Sequence, residues 1–372
     1  MAANAVYEVS EHPSDLLSAV RFSPSGDRLI VSSWDRNLYV YTHSPDSQSP
    51  FTLLRKIQHR APILDCCFGK DDSTAYTVGI DWDVREVNLD TEVQSVLSTH
   101  DTNAKDGNAS NKVRYSQELD LVISTAWCGT MHVHTANGSY ARIQLPRKPY
   151  ALSITDSRCV VSGAERRVAV YDLRALKATA EQSGAQSGDQ VDGEKTVLQV
   201  EPWQTRESSL KFMVRDLVCM PNGEGYATSS IEGRVGVEFL DAAREKETYA
   251  FKCHRQTQTD PTTGQDVEVV YPVNALAFNQ VYGTFATGGG DGVIALWDAV
   301  SKRRIRQYAR LEASIAALDY SQDGKYLAVA VSPHEEVDAP REEDLDRSKI
   351  KVYIRELAEG EAKGKSSKKE AA

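Results

Sequence analysis

Asn274-Ala-Leu-Ala-Phe278, Thr284-Phe-Ala-Thr287, Gly288-Gly-Gly-Asp-Gly292, Val293-Ile-Ala-Leu-Trp297 and Arg304-Ile-Arg-Gln-Tyr308 follow one another along this chain. The apolar runs are short and alternating or β-branched, and the glycine and Asp-Gly stretches between them are hairpin signals. They read as four strands. The third run ends as an apolar residue, any residue, an apolar residue and a stop. The same pattern ends at Tyr41, Val87, His134, Tyr171, Glu238, Trp297 and Tyr353, between 37 and 67 residues apart. Six residues before the stop stand Asp35, Asp81, Cys128, Glu165, Glu232 and Asp291 in the first six copies, so only Cys128 breaks a run of acids. Repeats of this length, four strands each, array sheets radially rather than layering helices.

The prediction is an all-β, seven-bladed WD-repeat β-propeller, one domain over residues 1–356. Such units cannot bury their faces singly and must stack. Val6-Tyr-Glu-Val9 precedes the first blade and is expected to pair with Ile350-Lys-Val-Tyr-Ile354. Pairing of N- and C-terminal strands would then close the propeller and remove an exposed edge. Three segments depart from the repeat. Residues 177–196 are polar and glycine-rich and are expected to be a disordered loop; 256–269 extend a loop before blade six. Residues 332–347 form a long acidic loop, and 357–372 read as a disordered lysine-rich tail.

Composition narrows the function. Net charge is −10 and the isoelectric point 5.4, which disfavours broad nucleic-acid binding. No apolar run approaches the roughly 18 residues of a spanning helix, and Met1-Ala-Ala-Asn-Ala-Val-Tyr lacks the charged lead and apolar centre of a signal peptide. Six cysteines without a Cys-x-x-Cys pair suggest reduced thiols in a nuclear or cytosolic protein.

Enzyme chemistry finds little support. Gly288–Gly292 lacks the following helix and lysine of a phosphate cradle. Cys128, His132 and His134 lie close together, but a zinc site needs a fourth ligand; neither metal nor cofactor is expected. An acid in nearly every blade is structural, accepting hydrogen bonds from turn amides.

Departures from the repeat carry more. Before the turn acid most blades have a small or aliphatic residue, whereas blades one and three have Trp34 and Trp127. An indole at a turn suits a partner-binding anchor; the competing reading packs both rings into neighbouring loops. In blade five, Lys211, Met213 and Arg215 are expected on one side of the innermost strand. Arg234 follows the turn, and Lys252-Cys-His-Arg255 leaves the blade. Cations beside aromatics suit an acidic or phosphorylated peptide. The competing reading is an internal salt-bridge network with Glu207, Glu232 and Glu238. Arg166-Arg167 could extend the patch.

Several segments resemble the spindle-checkpoint WD-repeat family, which shares its ancestry with the messenger-RNA-export WD-repeat proteins. They are Ser32-Ser-Trp-Asp35, Arg206-Glu-Ser-Ser-Leu-Lys211, Ser229-Ser-Ile-Glu-Gly-Arg-Val235, Tyr249-Ala-Phe-Lys-Cys-His-Arg255, Tyr271-Pro-Val-Asn274 and Phe285-Ala-Thr-Gly-Gly-Gly-Asp-Gly292. The resemblance spans about residues 6–356. It implies a monomeric, non-enzymatic adaptor of nucleus and kinetochore, also cytoplasmic, with no membrane or direct nucleic-acid contact. By the same resemblance it binds a short acidic motif of a checkpoint kinase and its pseudokinase relative. It also reads phosphothreonine in the Met-Glu-Leu-Thr repeats of a kinetochore scaffold. Carried onto matching positions, Trp34, Trp127, Lys211 and Arg215 meet the partner motif, and Arg234 with Lys252 or Arg255 meets the phosphopeptide. Thr125-Ala-Trp-Cys128 departs from the family's Ser-Trp-Asp turn. Alternatives are a messenger-export propeller that grips a nucleoporin and, from Tyr171-Asp-Leu-Arg174, a ubiquitin-ligase substrate receptor.

Overall fold

The computed structural model describes residues 5–44, 49–100, 109–185, 197–260, 262–333 and 346–364. Seven antiparallel sheets carry the chain and are the blades of an all-β, seven-bladed WD-repeat β-propeller. In blade six the strands are Val273–Phe278, Phe285–Gly289, Ile294–Asp298 and Arg303–Gln307, within two residues of the runs read from sequence. Middle strands are the most deeply buried because both faces are covered. In blade three, Leu121–Ala126 and Thr130–Thr135 are buried at every position. Blade seven draws on both termini: Val6 lies opposite Arg355, Tyr7 opposite Ile354 and Glu8 opposite Tyr353. That pairing is the one expected from the sequence.

The strands fall into two compact units. Ser18–Ser208 hold blades one to four, apart from Leu17 at the start of blade one; Met1–Leu17 with Ser209–Ala372 hold blades five to seven. In the first unit a core of Leu121, Met131, Leu152 and Tyr171 joins blades three and four. In the second, Ile294, Leu296, Ile315 and Leu327 join blades six and seven.

One local device recurs. Near the start of the first strand in six blades the register skips a residue, a β-bulge that leaves one side chain out of the ladder. The skipped residues are Leu64, Asn111, Tyr150, Arg215, Asn274 and Ala316. Asn111 uses the freedom to donate to the Pro149 carbonyl at 3.1 Å, and Asn274 to Ser314 Oγ at 2.9 Å, each reaching the next blade. Blade five alone places a cation there.

Four expectations need correction. Residues 177–185 are not disordered: they belong to a helix, Leu173–Ala185, whose Leu173, Leu176 and Ala180 enter the blade three and four core. After it Val197–Gln199 pairs parallel to Tyr140–Gln144 as a fifth strand of blade three, and blade four takes Gln204–Glu207 as its outer strand. Residues 186–196, and 334–345 of the acidic loop, lie outside the described residues. The segment 256–269 is a hairpin rather than a loop, with Arg255–Thr259 against Asp266–Val270. The tail begins later than expected. Leu357 and Ala362 are buried against blades six and seven, and Glu361 accepts from Arg306 Nη1 and the Tyr308 hydroxyl, both at 2.8 Å. Residues 365–372 lie outside the described part. Finally, Lys211 and Met213 precede the innermost strand of blade five, which starts at Val214.

Candidate functional site

In the first unit, Trp34 sits on the turn joining Arg28–Ser33 to Asn37–His43. Asp35 Oδ1 accepts from the Asn37 amide at 3.0 Å and Oδ2 from the Tyr39 hydroxyl at 2.6 Å, so the turn is fixed from within. The ring above it is 41% exposed. Trp127 occupies the matching turn of blade three, half-buried, with Lys148 Nζ 5.7 Å from its ring centroid. Where blade one has a carboxylate, Cys128 Sγ lies 3.0 Å from Thr130 Oγ1, and Gly129 takes the left-handed conformation at φ 86°. A third indole was not singled out by sequence. Trp82, half-buried, follows the turn acid of blade two at φ 64°. The signal was present in Asp81-Trp82-Asp83, but the ring stands two places later than Trp34 in the repeat.

Backbone bonds place these turns in order. The His59 amide donates to the Arg36 carbonyl at 2.7 Å and the Ile80 amide to Pro62 at 3.1 Å, so one short linker holds the first and second turns. Ser110 Oγ donates to the Trp82 carbonyl at 2.8 Å and the Trp127 amide to Ala109 at 3.0 Å, so another holds the second and third. The acids behave as structural groups. Asp35 and Asp291 accept turn amides, as expected, whereas Asp81 Oδ2 accepts from Arg60 Nε and Arg85 Nη2, each at 2.9 Å. His132 and His134 converge on Ser98 Oγ, 2.9 Å from each, as packed core groups. No cluster that could hold a metal occurs among the described residues.

In the second unit the cations gather around the turn of blade five. Lys211, Phe212 and Met213 form an exposed approach, tied to the turn by the Ile231 amide donating to the Met213 carbonyl at 3.2 Å. Arg215 is the bulged residue that follows. It is exposed, yet surrounding protein strips enough water from it to lower its pKa, with Asp216 pulling the other way. Asp216 is itself engaged: Oδ2 accepts from the Leu276 amide of blade six at 2.9 Å. Arg215, Lys211 and Lys252 have no ion pair among the described residues.

Arg234 and Lys252 stand directly opposite on neighbouring strands. Like charges so placed repel, by about 0.2–1 kcal/mol. Among the described residues only Glu232 answers them, 3.4 Å from Arg234 Nε. The turn before Arg234 is held closely. Gly233 sits at φ 63°, and a Cβ there would lie 2.8 Å from the Cys253 carbonyl and 2.9 Å from Val270 Cγ1. Val270 comes from the hairpin, which thereby braces the turn. So does Arg255: Nη2 donates to the Glu232 carbonyl at 2.9 Å and Nη1 to Glu268 Oε2 at 2.7 Å. Its charge is matched within the chain.

The alternative salt-bridge network forms only in fragments. Glu207 pairs with Arg166 at 2.8 Å, which occupies that arginine, and Glu238 accepts from Ser209 Oγ and the Tyr226 hydroxyl. Glu232 alone approaches the cations.

Comparison with known proteins finds the same kind of repeat. The WD domain, G-beta repeat signature matches residues 4–42 and 268–298. A mitotic checkpoint protein BUB3.1 of Arabidopsis thaliana is 38% identical over 368 residues, covering 96% of this chain and 94% of its own length. The chain belongs to the Bub3 family of mitotic checkpoint WD-repeat proteins. A second Bub3-family member, the mitotic checkpoint protein bub-3 of Caenorhabditis elegans, is 30% identical over 98% of this chain and 97% of its own. A poly(A)+ RNA export protein of Schizosaccharomyces pombe, from the same WD-repeat lineage, is 27% identical over 87% and 83% respectively. Membership of the Bub3 family supports a role in the spindle checkpoint.

Proposed function

We propose that this chain is a non-enzymatic spindle-checkpoint adaptor that recruits a checkpoint kinase and its pseudokinase relative to phosphorylated Met-Glu-Leu-Thr repeats of a kinetochore scaffold. Trp34, Trp127, Lys211 and Arg215 engage the partner's short acidic motif. Arg234 and Lys252 hold the phosphothreonine, while Arg255 positions their turn through Glu232 and Glu268. It works as a monomer in nucleus and cytoplasm and at the kinetochore.

The observation that carries the reading is the Arg234–Lys252 cross-strand pair, two cations in register with one carboxylate, Glu232, 3.4 Å from Arg234 Nε. A phosphate would turn that repulsion into charge-assisted hydrogen bonds, each contributing about 1.5–3 kcal/mol. The higher identity to checkpoint than to export relatives supports this role over nucleoporin binding.

Titrating phosphorylated and unphosphorylated repeats against wild type and Arg234→Ala tests it. Phosphate should strengthen wild-type binding tenfold or more and do little for the variant. Four equal affinities would remove the phosphate-reading claim. A pull-down from mitotic extract separates the alternatives: kinase for the checkpoint role, nucleoporin for export.

A further inference from the structure

The residue after the turn acid, or after Cys128 in blade three, takes a left-handed backbone in blades one to six, at φ between 62° and 86°. Blades three, five and six place Gly129, Gly233 and Gly292 there, the residue type that meets this conformation without steric cost. Blades one and four place Arg36 and Arg166, and blade two places Trp82. A bulky side chain in this region is strained, and such strain persists where surrounding contacts fix the backbone. Three bonds fix it here. The Trp82 amide donates to the Gly79 carbonyl at 3.2 Å, and its own carbonyl accepts from the His100 amide at 3.0 Å and Ser110 Oγ at 2.8 Å. Closing the turn does not need an indole, since glycine or arginine closes it in the other blades.

The Trp82 ring is half-buried. Its turn lies between those of Trp34 and Trp127, tied to the first by the linker at 59–62 and to the third by that at 109–110. An exposed cation stands at each end of this row. Arg36 lies two residues from Trp34, and Lys148 Nζ is 5.7 Å from the Trp127 ring centroid. At the middle turn, by contrast, Arg60 is already bound to Asp81.

We propose that Trp82 is a specificity-determining anchor for the partner's acidic motif. It takes an apolar side chain of the motif at blade two, while carboxylates on either side meet Arg36 and Lys148. A rigid indole presents a large contact surface and loses little freedom on binding, which is why tryptophan recurs among residues that dominate binding energy. The assignment rests on the docking role proposed above for Trp34 and Trp127, and extends it to a blade that had supplied no contact.

The test measures binding of a synthetic peptide spanning the kinase's acidic motif to full-length wild type, Trp82→Gly, Trp82→Asn and Trp34→Ala. Glycine and asparagine both suit the left-handed backbone, so neither Trp82 variant should melt below wild type. Both should bind the peptide tenfold or more weakly. Changing the apolar partner of Trp82 in the peptide to alanine should weaken binding to wild type but not to Trp82→Gly. A lower melting temperature in both variants overturns the anchor by making Trp82 a packing residue. An alanine scan of the peptide in which no position is coupled to Trp82 overturns it equally. Weak binding by Trp34→Ala with full binding by Trp82→Gly ends the Trp82 assignment alone. Full binding by both ends the docking role of this face with it.

Discussion

Blades two and five share one backbone plan and handle charge in opposite ways. Around the turn of blade two, Arg60 and Arg85 meet Asp81 and Asp83 at 2.5–3.4 Å, so each cation has a carboxylate. Around the turn of blade five, Lys211, Arg215 and Lys252 have none among the described residues, and Arg234 has Glu232 at 3.4 Å only. A cation matched within the chain braces a turn. One left unmatched keeps its binding capacity for a ligand. Arg255 shows the distinction inside a single segment, since three residues from Lys252 its guanidinium is already bound to Glu268 and the Glu232 carbonyl.

The largest effect expected from this contrast is on phosphopeptide affinity. Arg234→Ala should lower affinity for a phosphorylated repeat tenfold to a hundredfold, the loss of a charge-assisted bond of about 1.5–3 kcal/mol. A smaller change measured by calorimetry would align blade five with blade two. For the partner motif, Trp34→Ala should cost about 2 kcal/mol or more if the ring is an anchor. Because the ring is 41% exposed, thermal stability should hardly move. A fall in melting temperature without loss of binding would instead make Trp34 a packing residue.

Next comes the brace. Gly233→Ala places a methyl against the Cys253 carbonyl in a left-handed conformation, at a cost of at least about 1 kcal/mol. Denaturant midpoints would detect it, and a neutral outcome would mean that the turn is looser than described. A pH effect should follow. Burial pushes His59 of blade two from 6.5 down to about 4, the Ile57 carbonyl opposing. The unfolded chain binds the proton first, so folding stability is lost as pH falls from about 6.5 towards 4. Comparing melting curves of wild type and His59→Gln across that window should show a flatter profile for the variant. Smallest is Arg60→Ala, a half-exposed ion pair worth about 0–1 kcal/mol, which should leave phosphopeptide affinity unchanged.

Much of this was legible in the sequence, for physical reasons. Alternation in blade six and the recurring turn acids encode strands locally, so the strands of blade six emerge within two residues. Segments stabilised by distant partners were harder. Leu173, Leu176 and Ala180 have helical spacing, but only the blade three and four core makes them count. Leu357 and Ala362 are too sparse in a charged tail to announce burial. The hairpin at 255–270 is polar along most of its length and braces a turn more than 20 residues upstream in sequence. At the site, the cation cluster could be read from residue types, whereas the division of labour between Lys252 and Arg255 could not. It depends on Glu268, which no local pattern links to Arg255.

A structure of the chain bound to a phosphorylated Met-Glu-Leu-Thr repeat puts the contrast between the two blades to its most direct trial. Phosphate oxygens should lie within hydrogen-bond distance of Arg234 and Lys252, with Arg255 still on Glu268 and Glu232. A phosphate seated on Arg255, on the paired arginines of blade two, or away from blade five would contradict the assignment.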